Sequence, residues 1–265
     1  MKHITSDTLR DMKKNGEKIA AITAYDYSMA KHIDNAGADI ILVGDSLGMV
    51  LYGLKDTLAV TMDMMIMHTA AVVRGVQHAM VVADMPFMSY QIDENEAVRN
   101  AGELMRLTGC AAVKLEGHYP SLIRRLTDVG IPVVAHLGYT PQSARKYGYH
   151  IIRGRSDKEH DAILEAARDL DTAGACCLVA ESVPETLGRE LSQAVVMPVI
   201  GIGAGRFCDG EIQVCYDVLG IYPDFLPKHA KIFRHAGRSI KNGTRAYVQA
   251  VKNGTFPGEE NITKK

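Results

Sequence analysis

Long apolar runs are missing from the sequence: no stretch approaches the ~20 apolar residues of a membrane-spanning helix, so we expect no membrane partner. Residues 1–18 are polar and charged throughout and lack the apolar core of a signal peptide. The 265 residues carry a formal net charge of -1, which argues against a nucleic-acid partner. The five cysteines show no CxxC spacing. These absences predict a cytoplasmic protein with buried, reduced thiols.

No linker, internal repeat or low-complexity segment divides the sequence. We therefore predict one domain over residues 1–265, ending in a short, loosely held tail, Gly254–Lys265. Strand-like and helix-like patterns alternate along the chain, and the strand candidates are apolar runs of the kind found in parallel sheets covered on both faces. These candidates are Ile19–Tyr25, Ile40–Ser46, Met80–Pro86, Ala111–Gly117, Pro132–Gly138, Cys176–Ser182, Pro198–Gly203 and Ile212–Leu219.

The number of alternating units predicts the architecture. Eight strand–helix units of about 30 residues need roughly 240 residues, close to the length of this chain. We therefore predict an α/β fold, a (β/α)8 TIM barrel, with an extra N-terminal helix at Ser6–Lys14 that closes the bottom of the barrel. The alternative is a doubly wound open sheet, which would spread the polar strand ends along a crevice instead of gathering them at one mouth.

Four of the strand candidates end in an acid: Asp45, Asp84, Glu116 and Glu181. Side chains alternate faces along a strand, so each acid should face the same way as the small or apolar residues two or four positions before it. Lys114 shares this parity on its own strand. We therefore predict that all five side chains meet at the carboxyl ends of the strands. The residues that set the parity are Ile41, Val43, Val82, Ala112, Cys177 and Val179.

A dry site with four carboxylates needs a cation, because like charges repel and desolvation is costly. Mg²⁺ takes oxygen ligands, commonly one or two carboxylates with substrate and water, which suits the pair Asp45 and Asp84. Either aspartate alone could instead form a turn or cap a helix. His136 is the one histidine at an inward strand-end position, and a single histidine is weak support for zinc.

Lys114 and Glu116 alternate on one strand and could form an internal ion pair. In a functional reading, the lysine ammonium holds a substrate carboxylate beside the metal. A Schiff-base lysine is a further alternative, but the surrounding acids favour the charged ammonium.

Glu181 is predicted to lie across the barrel from Asp45 and Asp84, where a general base could reach substrate without displacing the metal. The competing interpretation is a helix cap at the strand end. The glycine-rich turn Gly201–Gly205 lacks the GxGxxG spacing of a dinucleotide site, so it is a tight turn or a phosphate-binding turn.

Several runs, taken in order over nearly the whole chain, resemble a known family. They are Ala21–Ser28, Leu42–Met49, Ala83–Phe87, Val113–Gly117, His136–Ser143, Pro198–Gly205 and Phe256–Glu260. Together they are similar to ketopantoate (3-methyl-2-oxobutanoate) hydroxymethyltransferases. The resemblance implies a barrel of the pyruvate and phosphoenolpyruvate type, assembled into a ring-built homodecamer.

The resemblance also implies a reaction and a set of roles. The methylene group of 5,10-methylenetetrahydrofolate passes to 3-methyl-2-oxobutanoate and gives 2-dehydropantoate, the first committed step of pantothenate and coenzyme A synthesis. The implied Mg²⁺ ligands are Asp45, Asp84 and, through water, Glu116; Glu181 is the proton acceptor. The predicted substrate-binding residues are Asp45, Ser46, Asp84, Lys114 and His136.

Two departures from the family pattern are modest. Ser182 replaces an expected cysteine after the base, and residues 146–150 differ from a more glycine-rich, phenylalanine-bearing lid, which affects the expected folate contacts. Two other functions remain open from the residues: a Mg²⁺-enolate aldolase or lyase that needs no folate, and a non-catalytic protein that binds 2-oxo acids.

Overall fold

The computed structural model describes residues 3–149 and 151–263. In these residues eight parallel strands form a closed barrel in chain order. Parallel pairing of the first and last strands, with Ile19 opposite Gly210, closes it. The predicted (β/α)8 barrel is confirmed, and the open sheet is excluded. The strands are β1 (Ile19–Thr23), β2 (Ile40–Val43), β3 (Met80–Asp84), β4 (Ala112–Glu116), β5 (Val133–Gly138), β6 (Cys177–Glu181), β7 (Val199–Ile202) and β8 (Gly210–Gln213).

Some of the helices between the strands begin at capping side chains. At the start of α5, Asp93 accepts hydrogen bonds from the N–H groups of Asn95 and Glu96. At the start of α8, Ser156 accepts one from the N–H of Glu159. The helices are α1 (Ser6–Asn15), α2 (Tyr27–Asn35), α3 (Leu47–Val50), α4 (Met62–Gly75), α5 (Glu94–Thr108), α6 (Pro120–Asp128), α7 (Ala144–Tyr147), α8 (Asp157–Thr172), α9 (Glu185–Ala194), α10 (Cys215–Val218) and α11 (Ala236–Lys252).

The N-terminal helix α1 closes the amino-terminal end of the barrel, as predicted. Leu9 is fully buried in the same apolar cluster as interior residues of the strands, Ile19 and Ile40 among them. Lys13 donates hydrogen bonds to the main-chain oxygens of Ser192, Val195 and Met197, and it lies 3.0 Å from the carboxylate of Asp209. These contacts attach α1 to the start of β7 and leave the opposite end of the barrel for function.

The last predicted strand, Ile212–Leu219, is wrong in its bounds. The observed β8 begins at Gly210, and the apolar residues after Gln213 start the short helix α10. Gly210 lies against the main-chain oxygen of Ile19, too close for any side chain at this position. The glycine therefore marks where the closing strand enters the barrel, a close approach that an apolar pattern does not reveal.

The interior of the barrel shows which parity faces inward. Val82, Ala112 and Val179 belong to the interior cluster, so the predicted inward parity of β3, β4 and β6 is correct. On β2 the interior residues are Ile40 and Leu42. The expectation that Asp45 shares the inward parity of β2 is therefore wrong. The residues that set it, Ile41 and Val43, are fully buried on the face of β2 that the helices cover.

The chain divides into two compact units, residues 1–214 and residues 215–265. The first holds the barrel with α1 to α9. The second holds α10, α11 and a 3₁₀ turn at Glu259–Asn261, and α11 has no buried residue. A single domain over residues 1–265 stays a prediction. Within the part of the chain that the structure describes, no helix is both long enough and apolar enough to cross a membrane.

Candidate active site

A cluster of charged side chains lies at the carboxyl ends of neighbouring strands. Asp84, Lys114, Glu116 and His136 end or nearly end β3, β4 and β5, and Asp45 follows β2 by two residues. Each of these five side chains belongs to a residue no more than 5% exposed. The predicted convergence is thus observed for residues from four adjacent strands, in a region where water cannot screen the charges.

Asp45 reaches the cluster from a turn rather than from the pleat of a strand. β2 ends at Val43, and the main-chain N–H of Asp45 donates to Asp84 Oδ2 at 3.0 Å. A Cβ atom at Gly44 would lie 2.8 Å from Ser46 Oγ and 3.5 Å from Asp84 Oδ2. Glycine is therefore required before Asp45, as the sequence indicates, because the backbone passes so close to the site.

Lys114 is the positive centre of the cluster. Its Nζ lies 2.8 Å from Asp84 Oδ1 and 4.0 Å from Glu116 Oε1. Burial lowers the pKa of Lys114, but the carboxylates of Asp84, Glu116 and Asp45 outweigh burial and hold that pKa above its usual value. The structure therefore keeps Lys114 as an ammonium, which disfavours its use as a Schiff-base nucleophile.

The cluster contains three acidic side chains, more than the single positive charge of Lys114 can neutralise. Burial, helped by the Asp84 carboxylate, raises the pKa of Asp45 to about 7, and Lys114 offsets part of that rise. Burial also raises the pKa of Glu116 well above its usual value, against the attraction of Lys114. A further cation at this place would relieve the repulsion, which is the physical condition for a metal site.

His136 connects Lys114 to Glu181. Lys114 Nζ lies 3.3 Å from His136 Nδ1, and His136 Nε2 lies 3.3 Å from Glu181 Oε2. Burial, together with the nearby Lys114 charge, lowers the pKa of His136 well below its usual value, so the ring is neutral. Because a lysine ammonium can only donate, Nδ1 accepts and the ring proton lies on Nε2, the atom that faces Glu181.

Glu181 ends β6, four strands from β2 and three from β3 round the barrel, as the sequence predicts. Its side chain is 17% exposed, more than those of the acids in the buried cluster. The next residue, Ser182, has a positive φ of 49° and accepts a hydrogen bond from the N–H of Arg153. Glu181 therefore lies on the opposite wall and is reached more readily from the mouth of the barrel.

Ser46 lies beside the cluster and its hydroxyl does not cap α3. Its Oγ lies 2.8 Å from the hydroxyl of Tyr25, which accepts from the hydroxyl of Thr23. This chain of hydroxyl groups leads from β1 to the Asp45 turn. It can present a hydroxyl to a ligand held by Lys114.

Two residues of the site were not identified as functional from the sequence. Gln142 donates through Nε2 to Asp45 Oδ2 at 3.0 Å and through its main-chain N–H to Glu116 Oε2 at 3.0 Å. Tyr90 donates to Gln142 Oε1 at 2.7 Å and accepts from the N–H of Glu116 at 3.1 Å. Both residues lie outside the strands, where no alternation of side chains could indicate their direction.

The residues present fit a divalent cation that binds together with substrate. Across residues 3–149 and 151–263 no group of three or more His, Cys, Asp or Glu side chains is already arranged to hold a metal ion. Asp84 Oδ1 is buried and already faces the Lys114 ammonium at 2.8 Å, but the buried carboxylates of Asp45 and Glu116 leave the cluster with more negative than positive groups. Asp45 and Asp84 supply two carboxylates, the number that Mg²⁺ commonly takes when substrate and water complete its shell. The three-acid ligand set stays a prediction.

The segment 146–150 follows Gln142 directly in the chain. In α7, Lys146 lies near the ring of Tyr147, and the Arg153 guanidinium stacks on that ring 3.9 Å from its centre. His150 lies outside the described residues. No contact of this segment identifies a folate site, so the expected folate contacts are still undefined.

Comparison with known proteins gives one consistent family. The family model for ketopantoate hydroxymethyltransferase matches residues 3–259. A 3-methyl-2-oxobutanoate hydroxymethyltransferase of Syntrophus aciditrophicus (strain SB) is 48% identical over 259 residues, covering 97% of this chain and 95% of that protein. One of Acetivibrio thermocellus is 48% identical over 262 residues, covering 98% and 93%.

Solved structures share the fold at low sequence identity. Phosphoenolpyruvate phosphomutase from Streptomyces platensis subsp. rosaceus has a TM-score of 0.62 at 15% identity, covering 98% of this chain and 92% of that one. A 2,3-dimethylmalate lyase of the PEP mutase/isocitrate lyase superfamily has a TM-score of 0.61 at 17% sequence identity. The match covers 98% of this chain and 92% of the lyase chain. Phosphonopyruvate hydrolase in complex with oxalate and Mg²⁺ has a TM-score of 0.61 at 14% sequence identity. The match covers 98% of this chain and 94% of the hydrolase chain. These likenesses show that the chain shares the barrel fold of these proteins.

Proposed function

The chain belongs to the ketopantoate hydroxymethyltransferase family, an enzyme family of pantothenate synthesis, and from this premise we propose its detailed reaction. The methylene group of 5,10-methylenetetrahydrofolate passes to C3 of 3-methyl-2-oxobutanoate and gives 2-dehydropantoate. The observation that carries the proposal is the series of close contacts Asp84–Lys114–His136–Glu181, 2.8 to 3.3 Å apart, which leads from a buried, carboxylate-rich wall to a more exposed base on the opposite wall.

The substrate carboxylate binds Lys114 in this proposal, and Ser46 supplies a hydrogen bond. The support is the ammonium state of Lys114, since a buried cation needs an anionic partner and gains one more when substrate enters. The low exposure of the cluster makes that interaction stronger than it would be in water.

Asp45 and Asp84 would hold Mg²⁺, and Glu116 would contact it through water. Bound there, Mg²⁺ would act as a Lewis acid that stabilises negative charge on the keto oxygen of the substrate. The excess of buried carboxylates over the single charge of Lys114, which raises the pKa of Asp45 and of Glu116, supports this assignment. So does the structure of phosphonopyruvate hydrolase, a relative by fold, with oxalate and Mg²⁺.

Glu181 takes the proton from C3 of the substrate. Neutral His136, with its ring proton on Nε2, faces the Glu181 carboxylate and orients it without competing for the proton. The C3 carbanion then forms the new carbon–carbon bond to the methylene carbon as the first of its two carbon–nitrogen bonds to the folate breaks. Water supplies the hydroxyl oxygen as the second breaks, the proton from C3 and one from water pass to the two nitrogens, and tetrahydrofolate leaves.

The decisive experiment separates this reaction from the folate-free alternatives. Purified protein is mixed with Mg²⁺ and 3-methyl-2-oxobutanoate, with and without methylenetetrahydrofolate, and the product is identified by mass. We expect 2-dehydropantoate only in the presence of the folate, its loss on addition of EDTA and its return with excess Mg²⁺. Folate-independent turnover would indicate an aldolase or lyase, and binding without turnover would indicate a 2-oxo acid-binding protein.

The cytoplasmic location and the homodecamer are also parts of the proposal. They are supported by the family resemblance. Sedimentation of the purified protein tests the assembly, and a monomer as the active species would contradict it.

A further inference from the structure

Gln142 occupies a central place in the site. It is 4% exposed and lies in a 3₁₀ turn, Pro141–Ser143, that follows β5 and brings the side chain to the carboxyl ends of the strands. Its Nε2 donates to Asp45 Oδ2 at 3.0 Å and to the main-chain oxygen of Met85 at 2.9 Å. Its main-chain N–H donates to Glu116 Oε2 at 3.0 Å. One residue thus contacts two of the acids at the same time.

The surroundings of the Gln142 amide determine which way it points. Its Oε1 accepts from the hydroxyl of Tyr90 at 2.7 Å and from Nε2 of Gln91 at 3.0 Å. Both protons of Nε2 and both lone pairs of Oε1 are therefore used. A flip of the amide would place its oxygen against the Asp45 carboxylate and the Met85 main-chain oxygen and lose both of these hydrogen bonds, so the donor faces Asp45.

The hydrogen bonds of the three acids in the cluster follow one pattern. One oxygen of each carboxylate accepts from a neutral N–H group: Asp84 Oδ2 from the N–H of Asp45, Asp45 Oδ2 from Gln142 Nε2, and Glu116 Oε2 from the N–H of Gln142. A neutral donor fixes the direction of a carboxylate but does not cancel its charge. The second oxygens of Asp84 and Glu116 face Lys114 Nζ, at 2.8 Å and 4.0 Å, so these donors turn the carboxylates toward the positive charge of the cluster.

We propose that Gln142 is a positioning residue that holds the carboxylates of Asp45 and Glu116 so that Asp45 presents one oxygen to the divalent cation and Glu116 presents one to its bound water. This inference rests on the metal site of the proposed function. It assigns to Gln142, rather than to the acids themselves, the choice of which oxygen binds.

The test measures binding of Mn²⁺, a paramagnetic probe, by electron paramagnetic resonance in the presence of 3-methyl-2-oxobutanoate. Gln142→Met removes the amide but keeps the main-chain N–H that binds Glu116. Loss of such a supporting contact weakens metal binding by about 10–100-fold, and we expect that range here. Gln193→Met, at an exposed position of α9, should bind Mn²⁺ as the unchanged protein does.

The melting temperature of the metal-free protein separates positioning from folding. A purely structural role would lower the melting temperature of Gln142→Met and leave the Mn²⁺ affinity of the folded protein within twofold of the original, which would overturn the proposal. If Gln142→Met does not fold, Tyr90→Phe takes its place, since it removes one anchor of the amide. Here a loss of several-fold in Mn²⁺ affinity supports the proposal, and an unchanged affinity overturns it.

Mn²⁺ binding by the protein without substitutions distinguishes a failure of the proposed metal site from a failure of the role assigned to Gln142. If it binds no Mn²⁺, the metal part of the proposed function fails together with this inference. If it binds Mn²⁺ and both variants bind equally well, the inference alone fails and the proposed reaction stands.

Discussion

Single residues in this site carry charge states that exposed side chains of the same type would not have. Lys114 is buried and yet protonated, because its ion pair with Asp84 and two further carboxylates outweigh the cost of burial. His136 is buried and neutral for the opposite reason, since burial and the Lys114 charge both oppose its protonation. The protonated state of Lys114 and the neutral state of His136 determine what each side chain can do, and substitutions can test these roles.

The first prediction concerns the charge of Lys114. Lys114→Met should weaken binding of 3-methyl-2-oxobutanoate by about 1.5–3 kcal/mol, the value of a hydrogen bond to a charged group. Titration calorimetry measures the change, and circular dichroism confirms that the variant is folded. Lys158→Met, at an exposed position of α8, is the control and should bind as before. A borohydride-trapped adduct of the substrate on Lys114 would contradict the ammonium role.

The second prediction concerns proton removal by Glu181. Glu181→Gln keeps the size of the side chain but cannot accept a proton, so it should bind Mg²⁺ and substrate and lose about 10²–10⁴-fold in rate. Exchange of the C3 proton of 3-methyl-2-oxobutanoate in D₂O, followed by NMR without folate, measures this step directly. Glu165→Gln, exposed on α8, should exchange normally. Exchange at the original rate in Glu181→Gln would assign the base to Glu116 instead.

At the scale of the elements, alternation along strands was enough to place most of the site. Asp84, Lys114, Glu116 and Glu181 all face inward as predicted, because each belongs to a strand whose pleat continues to that residue. Asp45 reaches the cluster although its predicted parity is wrong, because β2 ends two residues earlier. A turn has no fixed period, so the sequence could indicate that Asp45 is functional but not how it enters.

Contacts between residues far apart in the chain could not be predicted from the sequence, because they form only when the barrel closes. Gln142 meets Asp45 across 97 positions of the chain, and only the closed barrel brings them together. The start of β8 was missed because Gly210 is required by the approach of Ile19, which lies at the other end of the barrel sequence. Local patterns in the sequence predicted the strands and helices and the acids at the strand ends. The place of Gln142 and the start of β8 depend on contacts between residues that are far apart in the chain.

The third prediction concerns a buried aspartate that joins two elements. Asp34 at the end of α2 accepts main-chain hydrogen bonds from Gln77, His78 and Ala79, which lead from α4 into β3. Burial opposes its ionisation, but these three bonds prevail and lower the pKa of Asp34 below its usual value. Asp34→Ala should therefore lower the free energy of unfolding by about 1–3 kcal/mol at pH 7, by leaving the buried N–H of Ala79 and the part-buried N–H groups of Gln77 and His78 without this partner.

The pH dependence of this effect has a definite sign. The pKa of Asp34 is lowered on folding, so the stability gained from its ionised form is present above the unfolded value of about 3.9 and is lost as the pH falls through the lower folded value. Urea unfolding at pH 7 and near pH 3 should show a smaller difference between the original protein and Asp34→Ala at the lower pH. A difference that grows on acidification would refute the assignment. Asp128→Ala, at an exposed position of α6, serves as control.

For the barrel as a whole molecule, stability and chemistry lie at opposite ends. The amino-terminal end is closed by Leu9 of α1 and by the hydrogen bonds of Lys13, both remote from the acids at the carboxyl end. This separation is typical of barrel enzymes, in which the strand bottoms serve folding and the strand tops serve function.

The fourth prediction follows from that separation. Leu9→Ala should lower the free energy of unfolding by about 2–5 kcal/mol, the usual result of truncating a fully buried leucine. Below its melting temperature the variant should keep its kcat and KM. Thermal unfolding and initial rates measured on the same sample test both statements. Met67→Ala, at a position that is 67% exposed, should change neither. A lower kcat in folded Leu9→Ala would show that the two ends are coupled.

The turn that carries Asp45 gives this residue a different tolerance to insertion from that of its neighbours. A one-residue slip in β3 would turn Asp84 out toward the helices together with every interior side chain of that strand. Asp45 follows the end of β2, so a residue added or removed between Val43 and Asp45 would move its carboxylate while the strand ladder stayed in register. The distance between the two aspartates can thus be altered without rebuilding the barrel. If the pair holds a cation as proposed, loop length after β2 is accordingly a means, in natural divergence or in design, of changing the ionic radius that fits between the two carboxylates.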